Sequence, residues 1–159
     1  MERPDRPATR STQWHPGDRG VTSVITGVLE AAVYAEDLEA ARGFYTGMLD
    51  LPEIAAVEGR HVFFRCGESV LLVFRAAASR QPPGPDALPV PPHGAEGAGH
   101  VCLRVAKEHL DPLATRLESA GVAIESDFRW PHGPRSIYVR DPAGNSVEFA
   151  AGELWGLDG

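Results

Sequence analysis

The chain has 159 residues, 43% of them hydrophobic, and a formal net charge of -7 from 22 acidic and 15 basic side chains. That length suits one domain, or two small modules sharing a core. The acidic balance argues against nucleic-acid or anionic-membrane partners, which need a basic face, and no apolar run approaches a membrane span.

Residues 1–22 read as a flexible arm: Arg3, Arg6 and Arg10 alternate with Pro4, Pro7 and Pro16, and Trp14 is the only sizeable apolar anchor. They lack the apolar stretch of a signal peptide. The two cysteines, Cys66 and Cys102, form no CxxC pair. Reduced thiols and a cytoplasmic protein are therefore expected.

A first module spans 23–75. Residues 28–34 read as a strand, and Asp37 caps a helix whose Leu38, Ala41, Phe44, Tyr45 and Leu49 recur at helical spacing. Asp50-Leu51-Pro52 ends it. Strands follow at 53–58, 60–65 and 69–75, with turns at Gly59 and at Cys66-Gly67-Glu68. Residues 76–98, rich in proline and glycine, read as a linker. A second module, 99–151, repeats the order. It has a strand at 100–105, a helix at 110–120 closed by Gly121, and strands at 122–128, 136–140 and 146–150. Residues 152–159 form a tail.

The repeat is visible in the residues. Arg60 to Arg65 matches Arg135 to Arg140, and Ser69-Val70-Leu71-Leu72 matches Ser146-Val147-Glu148-Phe149. Neither half is large enough for a comfortable core, so the halves should pair. Alternation gives each strand two faces. Leu29, Ala31 and Val33, with Val70, Leu72 and Phe74, Val101, Leu103 and Val105, and Val147 and Phe149, form an apolar face expected against the helices. Glu30, Ala32 and Tyr34, with Ser69, Leu71, Val73 and Arg75, His100, Cys102 and Arg104, and Ser146, Glu148 and Ala150, form a mixed face. Charged groups there must meet water, a ligand, an ion or each other. Mixed faces of two modules curled together would line a ligand cavity.

Three segments carry a family resemblance: Val33 to Tyr45, Gly99 to Val105, and Arg140-Asp141-Pro142-Ala143-Gly144-Asn145-Ser146-Val147-Glu148-Phe149. Together they resemble the vicinal-oxygen-chelate superfamily, which includes glyoxalases, bleomycin-resistance proteins and extradiol dioxygenases. The resemblance implies an α+β fold of two paired βαβββ modules, a half-open barrel-like mixed sheet with helices outside. It also implies a homodimer, which in some members completes the cavity across chains, and metal ligands at Glu30, His100, Leu71 and Glu148. Leu71 cannot bind a cation.

The remaining set, Glu30, His100 and Glu148, would suit Zn, Ni, Mn or Fe and leave positions for substrate oxygens. A metal-free cavity is the alternative; Glu30 or Glu148 would then pair with Arg104 or Arg75. Glu148 and Glu30 are the candidate catalytic carboxylates, and Arg104, Tyr34, His61 and Cys102 the candidate substrate-binding residues. His93 and His132 read as exposed loop histidines, Cys102 as a buried inert thiol, and Trp130 and Trp155 as a pocket wall or packing residues. The expected function is a glyoxalase-like lyase or isomerase acting on a small oxygenated molecule, a carboxylate moving a proton beside a divalent metal. A metal-free drug- or metabolite-binding protein of the same fold is the second reading. An extradiol dioxygenase is the third, with a ligand set unlike the two-His, one-carboxylate pattern of iron oxygenases.

Overall fold

A computed structural model describes residues 24–157. The arm, 1–22, lies outside the described residues, as do the last two of the tail.

The first half runs β1 (Glu30–Tyr34), α1 (Leu38–Arg42), β2 (Glu53–Val57), β3 (His61–Cys66) and β4 (Ser69–Phe74). The Asp37 side chain caps α1 by accepting from the Ala40 N–H at 2.9 Å. The helix continues as a wider π-helical stretch, Gly43–Met48. It stops where Asp50 takes a left-handed φ of 56°, a conformation that Asp tolerates better than most residues. Gly67, at φ 59°, allows the tight turn that pairs Cys66 with Ser69.

The second half repeats this with β5 (His100–Arg104), α3 (Leu110–Ser119), β6 (Ile124–Arg129), β7 (Arg135–Arg140) and β8 (Ser146–Ala150). Between them the linker forms one short helix, α2 (Ala76–Ser79), which its composition did not suggest.

Each half is a four-stranded open sheet, in the orders β1-β4-β3-β2 and β5-β8-β7-β6. The first and last strands of each half run parallel, and the other pairs are antiparallel. This is the expected α+β arrangement of two paired βαβββ modules.

Register corrects the facing of β4. Ala31 pairs with Leu71 and Val33 with Val73, so Leu71 and Val73 share the core face of β1. Leu71 is 2% exposed, inside the core. Val70, Leu72 and Phe74 lie on the mixed face instead. β4 is apolar at every position from 70 to 74, so alternation had no contrast to read. The repeat alignment moves by one residue with it. The first hairpin joins Arg65 to Val70, whereas the second, one residue longer, joins Arg140 to Ser146. Leu72, not Leu71, is therefore the counterpart of Glu148.

One core serves both halves. Phe44, Tyr45, Phe64, Leu71 and Val73 of the first pack in the same buried cluster as Leu103, Leu117, Ile137, Val147 and Phe149 of the second. Polar ties cross the seam. The Tyr45 phenol donates to Asp141 Oδ2 at 2.9 Å. Asn145 Nδ2 donates to the Tyr34 carbonyl at 3.0 Å, and Asn145 Oδ1 accepts from the Gly99 N–H at 2.7 Å. The end of β1 is thereby held against the start of β5.

Candidate functional site

The chemistry-bearing residues fall into two clusters, one on the mixed face of each sheet. On the second sheet β5 and β8 run in register, setting Cys102 opposite Glu148 and His100 opposite Ser146. β7 places Tyr138 on the other flank of Glu148. The Glu148 carboxylate is at the centre, its side chain 7% exposed, with Oε2 3.4 Å from His100 Nε2. The Ser136 hydroxyl donates to Glu148 Oε1 at 2.5 Å, a charge-assisted length. His100 is half-exposed and lies over the Tyr138 ring at 6.3 Å. Phe128 stacks parallel on Tyr138 at 5.9 Å.

Burial and this carboxylate together disfavour ionisation of two neighbours. Burial, and then the Glu148 charge, push the Cys102 thiol up to about 12. Burial and Glu148 also hold the Tyr138 phenol above its usual value. Cys102 is exposed as a residue rather than buried, while desolvation of its thiol and then the Glu148 charge disfavour the thiolate. Ser136 escaped the sequence reading because a serine in a strand carries no signal until the register aims it at a carboxylate.

On the first sheet, register puts His61 opposite Phe74, Phe63 opposite Leu72, and Tyr34 opposite Phe74. His61 stacks on Phe63 at 4.1 Å, and burial, then nearby Arg60, lower its pKa. His93 is not an exposed loop residue. Its Nδ1 lies 2.9 Å from the Tyr34 hydroxyl, and its ring packs edge-on to Phe74 at 4.5 Å. The linker thus brings an imidazole onto the mixed face of the first sheet. His132 is exposed.

Glu30 stands apart. No group of three His, Cys, Asp or Glu among the described residues is placed to hold a metal ion, so Glu30, His100 and Glu148 do not converge within one chain. The cause is the direction of β1. Its Tyr34 end meets the start of β5, and Glu30, four residues earlier, lies roughly 13 Å further along at the rise of an extended strand. Nor do the alternative ion pairs form: Arg75 binds Glu36 at 3.1 Å, and Glu148 binds Ser136 and His100. Arg104 is exposed at the far end of β5. Trp130 donates from Nε1 to Ser136 Oγ at 2.9 Å, while Trp155 is 68% exposed. A cleft of about 550 Å³ between α3, the end of β5 and the β3–β4 turn is lined mainly by core-side residues such as Leu103, Leu113 and Phe149. Its lining includes none of Glu148, His100, Ser136, Tyr138 and Cys102.

Paired βαβββ modules, here with a buried carboxylate and an imidazole on one sheet face, define a structural class. Within that class, a family model described as the Glyoxalase/Bleomycin resistance protein/Dioxygenase superfamily matches residues 27–149. The chain belongs to this superfamily. It is 42% identical to lactoylglutathione lyase from Agrobacterium tumefaciens, with a TM-score of 0.78 over 84% of this chain and 99% of that one. A glyoxalase/bleomycin resistance protein/dioxygenase from Nocardioides is 24% identical, with a TM-score of 0.61 over 82% of this chain and 86% of that one. A fosfomycin resistance protein from Mesorhizobium loti is 21% identical, with a TM-score of 0.57 over 82% and 96%. These last two share the fold. Among curated proteins none matches. No helix among the described residues is long and apolar enough to cross a membrane.

Proposed function

We propose that the chain is a glyoxalase-type lyase or isomerase for a small molecule with adjacent oxygens, working as a homodimer. One observation carries the reading: a nearly buried carboxylate, Glu148, has one oxygen held by Ser136 and the other directed at His100. The 42% identity to a lactoylglutathione lyase supports the reaction type.

Glu148 Oε2 and His100 Nε2 fit half of a divalent metal site, since a carboxylate and an imidazole suit Zn, Ni, Mn or Fe. A bound ion would polarise the paired substrate oxygens. Leu72, the counterpart of Glu148 in the first module, supplies no donor. Glu30 is exposed at the head of β1, beside Val28 and Leu29, which are 72% and 76% exposed. We propose that this strand meets a second copy, so that Glu30 of the partner subunit completes the set.

In the reaction, Glu148 removes a proton from a hydroxyl-bearing carbon next to a carbonyl and returns it to the carbonyl carbon, while the hydroxyl proton passes to the former carbonyl oxygen. The proton and the electron pair stay within the substrate, so no oxidant is needed. Arg104, exposed on the same face, would receive an anionic group of the substrate, with Cys102 beside it. Tyr34 and His61 would contribute the first module's wall.

The test is elemental analysis of the purified protein and of His100→Ala, alongside an assay for lactoylglutathione formed or consumed. Near-stoichiometric divalent metal in the wild type, its loss in the variant, and chelator-sensitive turnover are expected. Equal metal content in the two proteins would overturn the metal reading. Leu72 favours one second reading, a metal-free protein that sequesters a small molecule. It requires ligand binding that a chelator leaves intact.

A further inference from the structure

We propose that Ser136 and Trp130 form a positioning relay that decides which oxygen of Glu148 is free to act. The inference rests on Glu148 being the working carboxylate of the site. A carboxylate this buried needs donors, and Ser136, itself fully buried, supplies one to Oε1 at 2.5 Å. A serine hydroxyl carries one proton and can rotate it to several partners. Here the choice is narrowed: Tyr138 also lies within reach of the hydroxyl, but the carboxylate at 2.5 Å is the stronger acceptor. The Trp130 indole nitrogen is only a donor and reaches the same Oγ at 2.9 Å, so Oγ accepts there and its single proton goes to Glu148. Oε1 is thereby engaged, and Oε2 faces His100, with the Cys102 thiol and the Tyr138 hydroxyl also within hydrogen-bonding reach of the carboxylate.

The indole is itself held in place. Trp130 follows the end of β6, and its backbone closes the turn at 131–134 through Trp130 N–H to the Pro134 carbonyl and Gly133 N–H to the Trp130 carbonyl, both 2.8 Å. The ring packs on Phe128 at 5.1 Å.

The internal repeat provides a control. In the first module His61 stands where Ser136 does, and Leu72 where Glu148 does. There the buried Nδ1 of His61 has no hydrogen-bond partner among the described residues. Only the sheet that keeps the carboxylate keeps the relay. Outer partners of this kind commonly change metal affinity by about 10–100-fold when removed.

Two measurements test it. In ¹⁵N-labelled protein the Trp130 indole signal, assigned with Trp130→Phe, should move in Glu148→Gln and move further in Ser136→Ala. Zinc binding alone, by calorimetry, should weaken about 10-fold in Ser136→Ala and less in Trp130→Phe. The double variant should be no weaker than Ser136→Ala, because the indole acts through the hydroxyl. Ser136→Thr, which keeps the hydroxyl, should restore binding. An indole signal indifferent to Glu148→Gln, or additive losses in the double variant, would overturn the relay. A wild type that binds no zinc would overturn the metal reading above, and the indole signal would still decide the relay.

Discussion

Replacing Tyr45 with Phe tests the seam between the modules. Tyr45 is fully buried, and its hydroxyl donates to Asp141, which is 4% exposed. The substitution removes one charge-assisted hydrogen bond and almost no volume. Bonds to a charged group contribute about 1.5–3 kcal/mol net. Asp141 keeps three other donors, the Ala143 and Asn145 N–H groups and Asn145 Nδ2. The carboxylate is therefore not orphaned, and the cost should sit near the lower end, at about 1.5–2 kcal/mol. In a chain of this size that lowers Tm by roughly 3–8 °C. Urea unfolding should show a lower midpoint with an unchanged slope. Burial, and then the Asp141 charge, raise the Tyr45 phenol well above its ordinary value. A group whose folded pKa is raised contributes stability that is complete below the unfolded pKa, about 10 for a phenol, and that fades as pH climbs past it. Tyr45→Phe should therefore also flatten the alkaline loss of stability. A variant within about 0.5 kcal/mol of wild type, with an unchanged alkaline slope, would refute this account of the seam.

Leu72→Glu should lower Tm in metal-free buffer, because it buries an unpaired carboxylate. Added zinc should recover part of that loss if the face adjoins a metal site; a loss that zinc leaves untouched counts against the site. Cys102, though exposed, should alkylate with iodoacetamide at neutral pH more slowly than an unperturbed thiol, as followed by peptide mass spectrometry. Glu148→Gln should speed it by removing the charge that adds to the effect of burial. Asp37→Ala, which deletes the cap on Ala40, should cost about 1 kcal/mol in urea unfolding and leave metal content unchanged.

The amino-acid sequence by itself determined the order of strands and helix within each module, the internal repeat, and the strand faces on which His100 and Glu148 lie. Each of these is local. Asp37 caps the helix that follows it, Gly121 takes a φ of 78° after α3, and alternation puts His100 and Glu148 each on the mixed face of its own strand. Tertiary structure decided the rest. β4 is apolar on both sides, so only its parallel pairing with β1 shows that Leu71 is core and Leu72 is the counterpart of Glu148. His93 lies in a segment without periodicity, and only the fold returns it to Tyr34. Ser136 and Trp130 look like ordinary strand and turn residues until β7 and β8 are side by side. Glu30 lies on the expected face of its strand, yet β1 meets β5 with its opposite end. Alternation tells which way a side chain points, but not which other strand's side chains it will meet.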